Sequence, residues 1–262
     1  MYTIEVLVAT MNRNNLDFLN SMQIHSDIVV GNQNGRSEKI VESINNHRVL
    51  LLNSTQKGLS RNRNLTINNA TADICVIADD DIEYCSGYED IISEAFSKNE
   101  DADVIIFNLY ENPIERYVIK KTHRVRGIEF LRYGSVRIAF RRSAVAGHIS
   151  FDEMFGAGGE IPIGEDTIFL SDCLKKGLKI YASPEYILKL TESESTWFDG
   201  FTKSYFINKG KMYYRIFGCF HLLMSMQDIV RHKSRYKACG DIKTLLSYMN
   251  DGAKEYKRMV EK

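Results

Sequence analysis

The stretch ICVIADDDIEY, Ile74–Tyr84, sets an unbroken apolar run directly against three consecutive aspartates. An uninterrupted series of Ile, Cys, Val and Ala suits a strand covered on both faces, as in a parallel sheet. Asp79, Asp80 and Asp81 then fall at its carboxyl end. Adjacent like charges repel, and a turn or helix cap needs one aspartate rather than three. In open α/β sheets ligands gather beyond the carboxyl ends of the strands. The stretch therefore predicts such a sheet, with a positively charged partner for the aspartates at its edge.

Working outward, similar runs recur at Ile4–Thr10, Asp27–Gly31, Arg48–Leu52 and Val104–Asn108. The segments between them, Asn15–Met22, Ser37–Asn46, Ser60–Ala70 and Gly87–Ser97, are expected as helices. This alternation predicts an α/β fold, a Rossmann-like, mainly parallel sheet flanked by helices. The first strand ends in Ala9-Thr10-Met11-Asn12 and the second in Gly31-Asn32-Gln33-Asn34, so their polar ends share an edge with the aspartates. Beyond Asn112 the pattern loosens. Arg137–Arg142 and Leu178–Ser183 read as strands, and Thr167–Lys176 as a helix closed by Gly177. From Trp197 aromatics and lysines dominate, and Asp241–Lys262 reads as an amphipathic helix.

The 34 Lys and Arg balance the 34 Asp and Glu, so the basic excess of a nucleic-acid binder is absent. The five cysteines are odd in number and never arranged as CxxC, which points away from a disulfide framework or zinc site. The six histidines show no ligand spacing. The first residues, MYTIEVLVATMNR, read as a strand rather than a secretory signal. The longest uncharged run, Ile216–Met226, falls short of the roughly 20 residues a spanning helix needs. A cytoplasmic protein is expected.

Three motifs carry chemistry. Aspartates after a buried strand suit a hard cation shared with phosphate, Mg²⁺ or Mn²⁺. Spacing by two sets Asp79 and Asp81 on one side as the expected metal ligands, with Asp80 facing away unless the chain bends. The second motif, KGLSRNRN, Lys57–Asn64, starts a helix with Arg61 and Arg63, against the helix dipole but suited to an anionic ligand. In the third, IGEDTIF, Ile163–Phe169, Glu165 and Asp166 open a helix behind FGAGGEIPIG, Phe155–Gly164, whose four glycines suit close approach by a ligand. Ordinary capping explains such acids at about 1 kcal/mol. A carboxylate there also suits a general base toward a hydroxyl.

IADDDIEY resembles the DxD region of GT-A glycosyltransferases, GLSRNRN their GLSxxRN segment, and GEDTIF the ED motif of glycosyltransferase family 2. With the VLVATMNR start and the late ESTWF, Glu194–Phe198, the chain is similar to family 2 enzymes of bacterial capsule and exopolysaccharide biosynthesis over about residues 2–200. The resemblance implies a metal-dependent inverting transferase moving a sugar from a nucleotide-diphosphate donor to a saccharide or lipid-linked saccharide acceptor. It implies that Thr10 lies at the nucleotide pocket and Arg63 contacts base or diphosphate. Asp79 would face ribose or metal and Asp81 the metal, with Asp80 an alternative ligand, and Asp166 would be the base. Lys57 and Asn12 are placed with the donor site, and Glu165 beside the base.

Where family members carry an acidic DDGS-like stretch, this chain has Gly31-Asn32-Gln33-Asn34; amides both donate and accept, so Asn32 or Gln33 is expected to pair with a base edge. The expected organisation is a GT-A domain over 1–196, with a nucleotide-sugar half (1–112) and an acceptor half (113–196), then a helical extension (197–262). Two rival readings are a non-catalytic nucleotide-sugar-binding protein and a metal-dependent nucleotidyltransferase. Trp197 reads as a core anchor or a stacking surface for an acceptor sugar. The segment Lys209–Lys237, apolar, aromatic and flanked by basic residues, reads either as a buried helix pair or as a peripheral contact with the inner membrane face.

Overall fold

The computed structural model describes residues 1–113, 116–190 and 200–261, and three helices are interspersed among its first seven strands. In chain order the elements are β1 (Ile4–Met11), α1 (Phe18–Ser21), β2 (Asp27–Gln33), β3 (Glu38–Ile44), β4 (His47–Ser54), α2 (Leu59–Asn69), β5 (Ile74–Asp79), β6 (Ile82–Tyr84), α3 (Tyr88–Lys98) and β7 (Val104–Tyr110). They continue with β8 (His123–Arg124), β9 (Ile138–Arg141), α4 (Arg142–Val145), α5 (Glu165–Lys175) and β10 (Ile180–Leu190). The C-terminal helices are α6 (Lys203–Phe217), α7 (His221–Arg231), α8 (Lys233–Tyr236) and α9 (Ile242–Val260).

One sheet runs β3-β4-β2-β1-β5-β9-β7-β10-β6, with β8 on β10. The pairs β4–β2, β2–β1, β1–β5 and β7–β10 are parallel, while β9 enters antiparallel between β5 and β7. Side chains alternate across the sheet. In β1, Val6 and Val8 enter one core with Leu19 and Phe96, and Leu7 enters the other with Phe169, Phe206 and Met249. Helices thus cover both faces, and the C-terminal helices share the second core. There α6 and α9 touch backbone to backbone: a Cβ on Gly210 would lie 1.9 Å from Met249 O, and one on Gly252 1.9 Å from Ile207 O.

Two expected helices differ. Ser37–Asn46 contains strand β3, an antiparallel edge against β4, with Ile44 opposite His47 and the hairpin closed by Asn45-Asn46 at φ 50° and 67°. Both central residues of a type I′ hairpin need positive φ, which Asn tolerates. Glu38, Lys39 and Glu42 keep this exposed edge polar. The second, Asn15–Met22, contains only the single turn α1. Asn15 and Asp17 hydrogen-bond one another through side chain and backbone, which competes with helix. Residues 138–141 form β9 as a strand, but the helix begins at Arg142. The tail helix α9 starts at Asp241, whose carboxylate accepts from Thr244 N–H at 2.7 Å. The motif Glu194–Phe198, Trp197 and the 196/197 boundary lie outside the described residues.

Candidate active site

A cavity of about 1240 Å³ opens at the carboxyl edge of β1, β2 and β5 and is lined on its far side by residues of α6–α8. Asp79, Asp80 and Asp81 all line it. Five buried residues of β5 precede Asp79, and the chain then turns before β6. That bend brings Asp80 to the cavity instead of pointing it away. The Thr10 hydroxyl donates to Asp80, and Arg13 reaches the same oxygen through Nη2 at 2.7 Å and Nε at 3.0 Å. Part of the positive partner predicted for the aspartates is therefore arginine from the chain itself.

A second part is Arg63, only 2% exposed. Its Nη2 donates to Asp79 at 2.8 Å and its Nη1 to Asp166 at 2.7 Å, with Glu165 at 3.5 Å. One planar fork thus joins the aspartate turn to the first turn of α5, while Phe151 lies under the guanidinium at 5.3 Å. Burial opposes the charge, but Asp79, Asp166 and Glu165 together hold the guanidinium above its ordinary range. The side chain expected to contact a ligand's base or diphosphate is bound by three protein carboxylates. Arg61 turns outward to Glu153 at 3.0 Å.

Glu165 and Asp166 differ although adjacent. Burial first, and the neighbouring Asp166 charge second, push Glu165 up to about 8 against the pull of Arg63. Asp166 takes the close ion pair. Between the ordinary carboxylate value of 4.5 and about 8, the folded protein keeps a Glu165 proton that the unfolded chain has released. Stability due to Glu165 therefore falls as pH rises through that window. Urea unfolding at pH 5, 6.5 and 8 should show wild type losing stability relative to Glu165→Gln as pH rises. A parallel pair of profiles would contradict the assignment.

On the nucleotide side, Asn12 lines the cavity at φ 56°, its N–H bonded to Gln33 O. Gln33 and Lys57 also line it, and Gln33 Oε1 accepts from Gly58 N–H at 2.7 Å, pinning the loop before α2. Asn32 does not reach the cavity. It is buried, donating to Arg13 O and Asn53 Oδ1 and accepting from Arg13 N–H, so its amide shapes the loop that carries Arg13 rather than facing a base. Of the two amides considered for reading a base, only Gln33 is at the surface of the cavity.

Two features escaped the sequence reading. Asn62 donates to Thr10 O and Gly31 O and locks α2 onto the strand ends; a Cβ on Gly31 would lie 1.9 Å from Asn62 Oδ1. The far wall holds Lys209, buried, with Asp228 at 2.8 Å and the Tyr236 hydroxyl at 2.8 Å. Burial alone would raise Asp228, yet His232 and Lys209 hold it at about 2. An i to i+4 Asp–His pair inside an aromatic-rich segment was the available signal.

Among the described residues no group of three His, Cys, Asp or Glu side chains forms a ready metal cage. Mg²⁺ and its relatives are commonly held by one or two carboxylates together with substrate phosphates. Asp81, exposed at the cavity, and Asp79 beside it supply that hard-oxygen set, so the residues fit such a cation. Two smaller clefts, of about 450 and 620 Å³, lie away from the aspartates.

Comparison with known proteins bears on the fold and the family. S. aureus TarS, residues 1–349, superposes with a TM-score of 0.61 at 12% identity, over 90% of this chain and 73% of that one. The same protein in complex with UDP-GlcNAc gives 0.62 at 14% identity over 88% and 73%. A mannosyltransferase from Pyrobaculum calidifontis in complex with GDP-Man and Mn²⁺ gives 0.56 at 11% identity over 97% and 87%. These likenesses are of fold, the GT-A arrangement. No curated protein sequence matches the chain. The family model described as glycosyl transferase family 2 matches residues 5–156, and with more than half of its length covered, the chain belongs to that family.

Proposed function

We propose that the protein is an inverting glycosyltransferase that moves a sugar from a nucleotide-diphosphate donor to an acceptor hydroxyl. The observation that carries this reading is the Arg63 fork, which holds Asp79 of the aspartate turn and Asp166 of α5 in one cluster facing one cavity. Family membership supports glycosyl transfer, and the UDP-GlcNAc and GDP-Man bound by structural neighbours support a nucleotide-sugar donor. At about 1240 Å³ the cavity exceeds the roughly 300–1,000 Å³ of a single small-molecule site, which suits two substrates.

In this reading Thr10, Asn12, Gln33 and Lys57 border the donor, and Asp166 accepts the proton of the attacking hydroxyl. Arg63 holds the Asp166 carboxylate in place, and Glu165, protonated at neutral pH, avoids a second charge beside it. Asp81 and Asp79 would hold Mg²⁺ or Mn²⁺, whose contribution is to neutralise the departing diphosphate. Asp81→Ala should weaken donor binding in the presence of Mn²⁺ by about tenfold or more and leave chelator-treated binding unchanged, read by calorimetry. Equal Mn²⁺ dependence in both proteins would remove Asp81 from the metal site.

Incubation with a panel of nucleotide sugars, with Mn²⁺ or chelator, tests the reaction class. Free sugar with nucleoside diphosphate supports the transferase. Binding without turnover would make the protein a nucleotide-sugar sensor, and cleavage at the phosphate a nucleotidyltransferase.

The acceptor is proposed to be a saccharide, lipid-linked in capsule or exopolysaccharide assembly. Among the described residues no helix is long and apolar enough to cross a membrane. On α7 and the residue before it, Phe220, Leu223 and Val230 are 67%, 66% and 57% exposed, with Arg231 and Lys233 beside them. Such a strip supports contact with an anionic bilayer surface. The full chain should sediment with vesicles containing anionic lipid, and Leu223→Glu should reduce the bound fraction severalfold. Equal sedimentation of the variant would place the contact elsewhere.

A further inference from the structure

The cavity has two banks, because the sheet order puts β4, β2 and β1 on one side of β5 and β9 and β7 on the other. A single-turn helix, Ser135–Arg137, leads into β9. There Val76 of β5 lies opposite Ala139. Extending that antiparallel register sets Arg137 opposite Ala78, beside the aspartate turn and across β5 from the strands that border the nucleotide.

Arg137 is 2% exposed and lines the cavity. Its Nη1 donates to Tyr117 O at 3.1 Å, its Nη2 to Arg132 O at 3.3 Å, and its Nε has no partner among the described residues. A guanidinium has five N–H donors and a charge it keeps. Arg63 has its charge answered by carboxylates, whereas Arg137 forms no ion pair among the described residues. Burial, and then the charge of Arg116, hold its guanidinium down at about 10 against the weaker pull of Tyr133, whose ring lies 5.4 Å away, and of Glu111. Arg116 and Arg132 are exposed on the same wall, Arg116 paired with Glu111 and Arg132 lying over the Tyr117 ring at 4.8 Å. A buried cation with an orphan donor, flanked by two more arginines, lacks one component, an anion.

We propose that Arg137, with Arg132 and Arg116, forms a receptor for an oxyanion, a phosphate or a carboxylate, carried by the acceptor saccharide. The word acceptor rests on the transferase reading; the anion site does not. Its position across β5 from Asn12, Gln33 and Lys57 separates it from the donor nucleotide. The wall would orient an acidic acceptor so that its hydroxyl faces Asp166.

The test is calorimetric titration of the full chain with inorganic phosphate and with glucuronate, alone and with saturating UDP or GDP. One or both oxyanions should bind, with affinity kept within about threefold when the nucleotide site is filled, and neutral glucose should not bind. Arg132→Gln, at an exposed position, should lower oxyanion affinity about tenfold or more, the scale of a lost charge-assisted bond. Arg137→Gln is expected to abolish it, and Arg137→Lys, which keeps the charge, guards against a folding failure by retaining part of it. Three results would each overturn the proposal: no oxyanion binding, equal affinity in wild type and Arg132→Gln, or displacement of the oxyanion by the nucleotide. The donor panel is read separately, so a protein that binds the oxyanion but cleaves no nucleotide sugar would keep the anion site and lose the transferase.

Discussion

Asp166→Asn is expected to lower transfer by about 10²–10⁴-fold while donor affinity is retained, because a positioned general base contributes on that scale. The amide keeps the shape of the carboxylate and can still accept from Arg63 Nη1, now at 2.7 Å from Asp166 Oδ1, but it cannot take a proton. Asp166 sits in the first turn of α5, at the positive end of the helix, and faces the cavity that also holds the aspartate turn. In the proposed function donor binding rests on Thr10, Asn12, Gln33 and Lys57 rather than on Asp166, so calorimetry should report a near-normal Kd. Single-turnover kinetics should separate the lost chemical step from binding. Glu165→Gln is the matched comparison, since the amide resembles the protonated acid that burial and Asp166 impose. It should stay within about tenfold of wild type at pH 7. Full turnover by the Asp166→Asn protein would remove the base assignment.

Arg63→Met should be the most damaging single change to both fold and activity. Removing one partner of a buried ion pair costs about 3–5 kcal/mol, because the remaining charges lose their compensation. Here Asp79 and Asp166 lose theirs together. A melting temperature lower by roughly 6 °C or more is expected for a chain of this length. Arg63→Lys retains a charge but not the planar fork, so it cannot hold Asp79 and Asp166 at once. It should recover part of the stability and little of the transfer. A Met variant as stable and active as wild type would show that the cluster is not organised through Arg63.

The parallel half of the fold was legible because β1, β2, β4 and β5 are continuous apolar runs ending in polar residues, the pattern of strands buried on both faces. β3 was missed because its residues are exposed along almost their whole length, leaving no buried face to set a period of two. The Asn45-Asn46 pair was its real signal. The aspartate turn and the Glu165-Asp166 helix start could be read as belonging together, but not that Arg63 joins them. A cation in the first turn of a helix looks alike whether it meets a ligand or two distant carboxylates. Asn32 shows the same limit: an amide after a strand can face a base or brace a loop, and only its bonds to Arg13 and Asn53 decide. Arg137 carried no motif at all; that it has no ion pair among the described residues becomes visible only once β9 lies beside β5.

A single displacement assisted by Asp166 inverts the anomeric centre, and the configuration of the released sugar reports it. Proton NMR of slow donor hydrolysis, recorded before mutarotation, should show a free sugar of anomeric configuration opposite to that in the donor, with nucleoside diphosphate as the other product. Asp166→Asn should suppress that signal. Retained configuration, or nucleoside monophosphate in place of the diphosphate, would contradict the account.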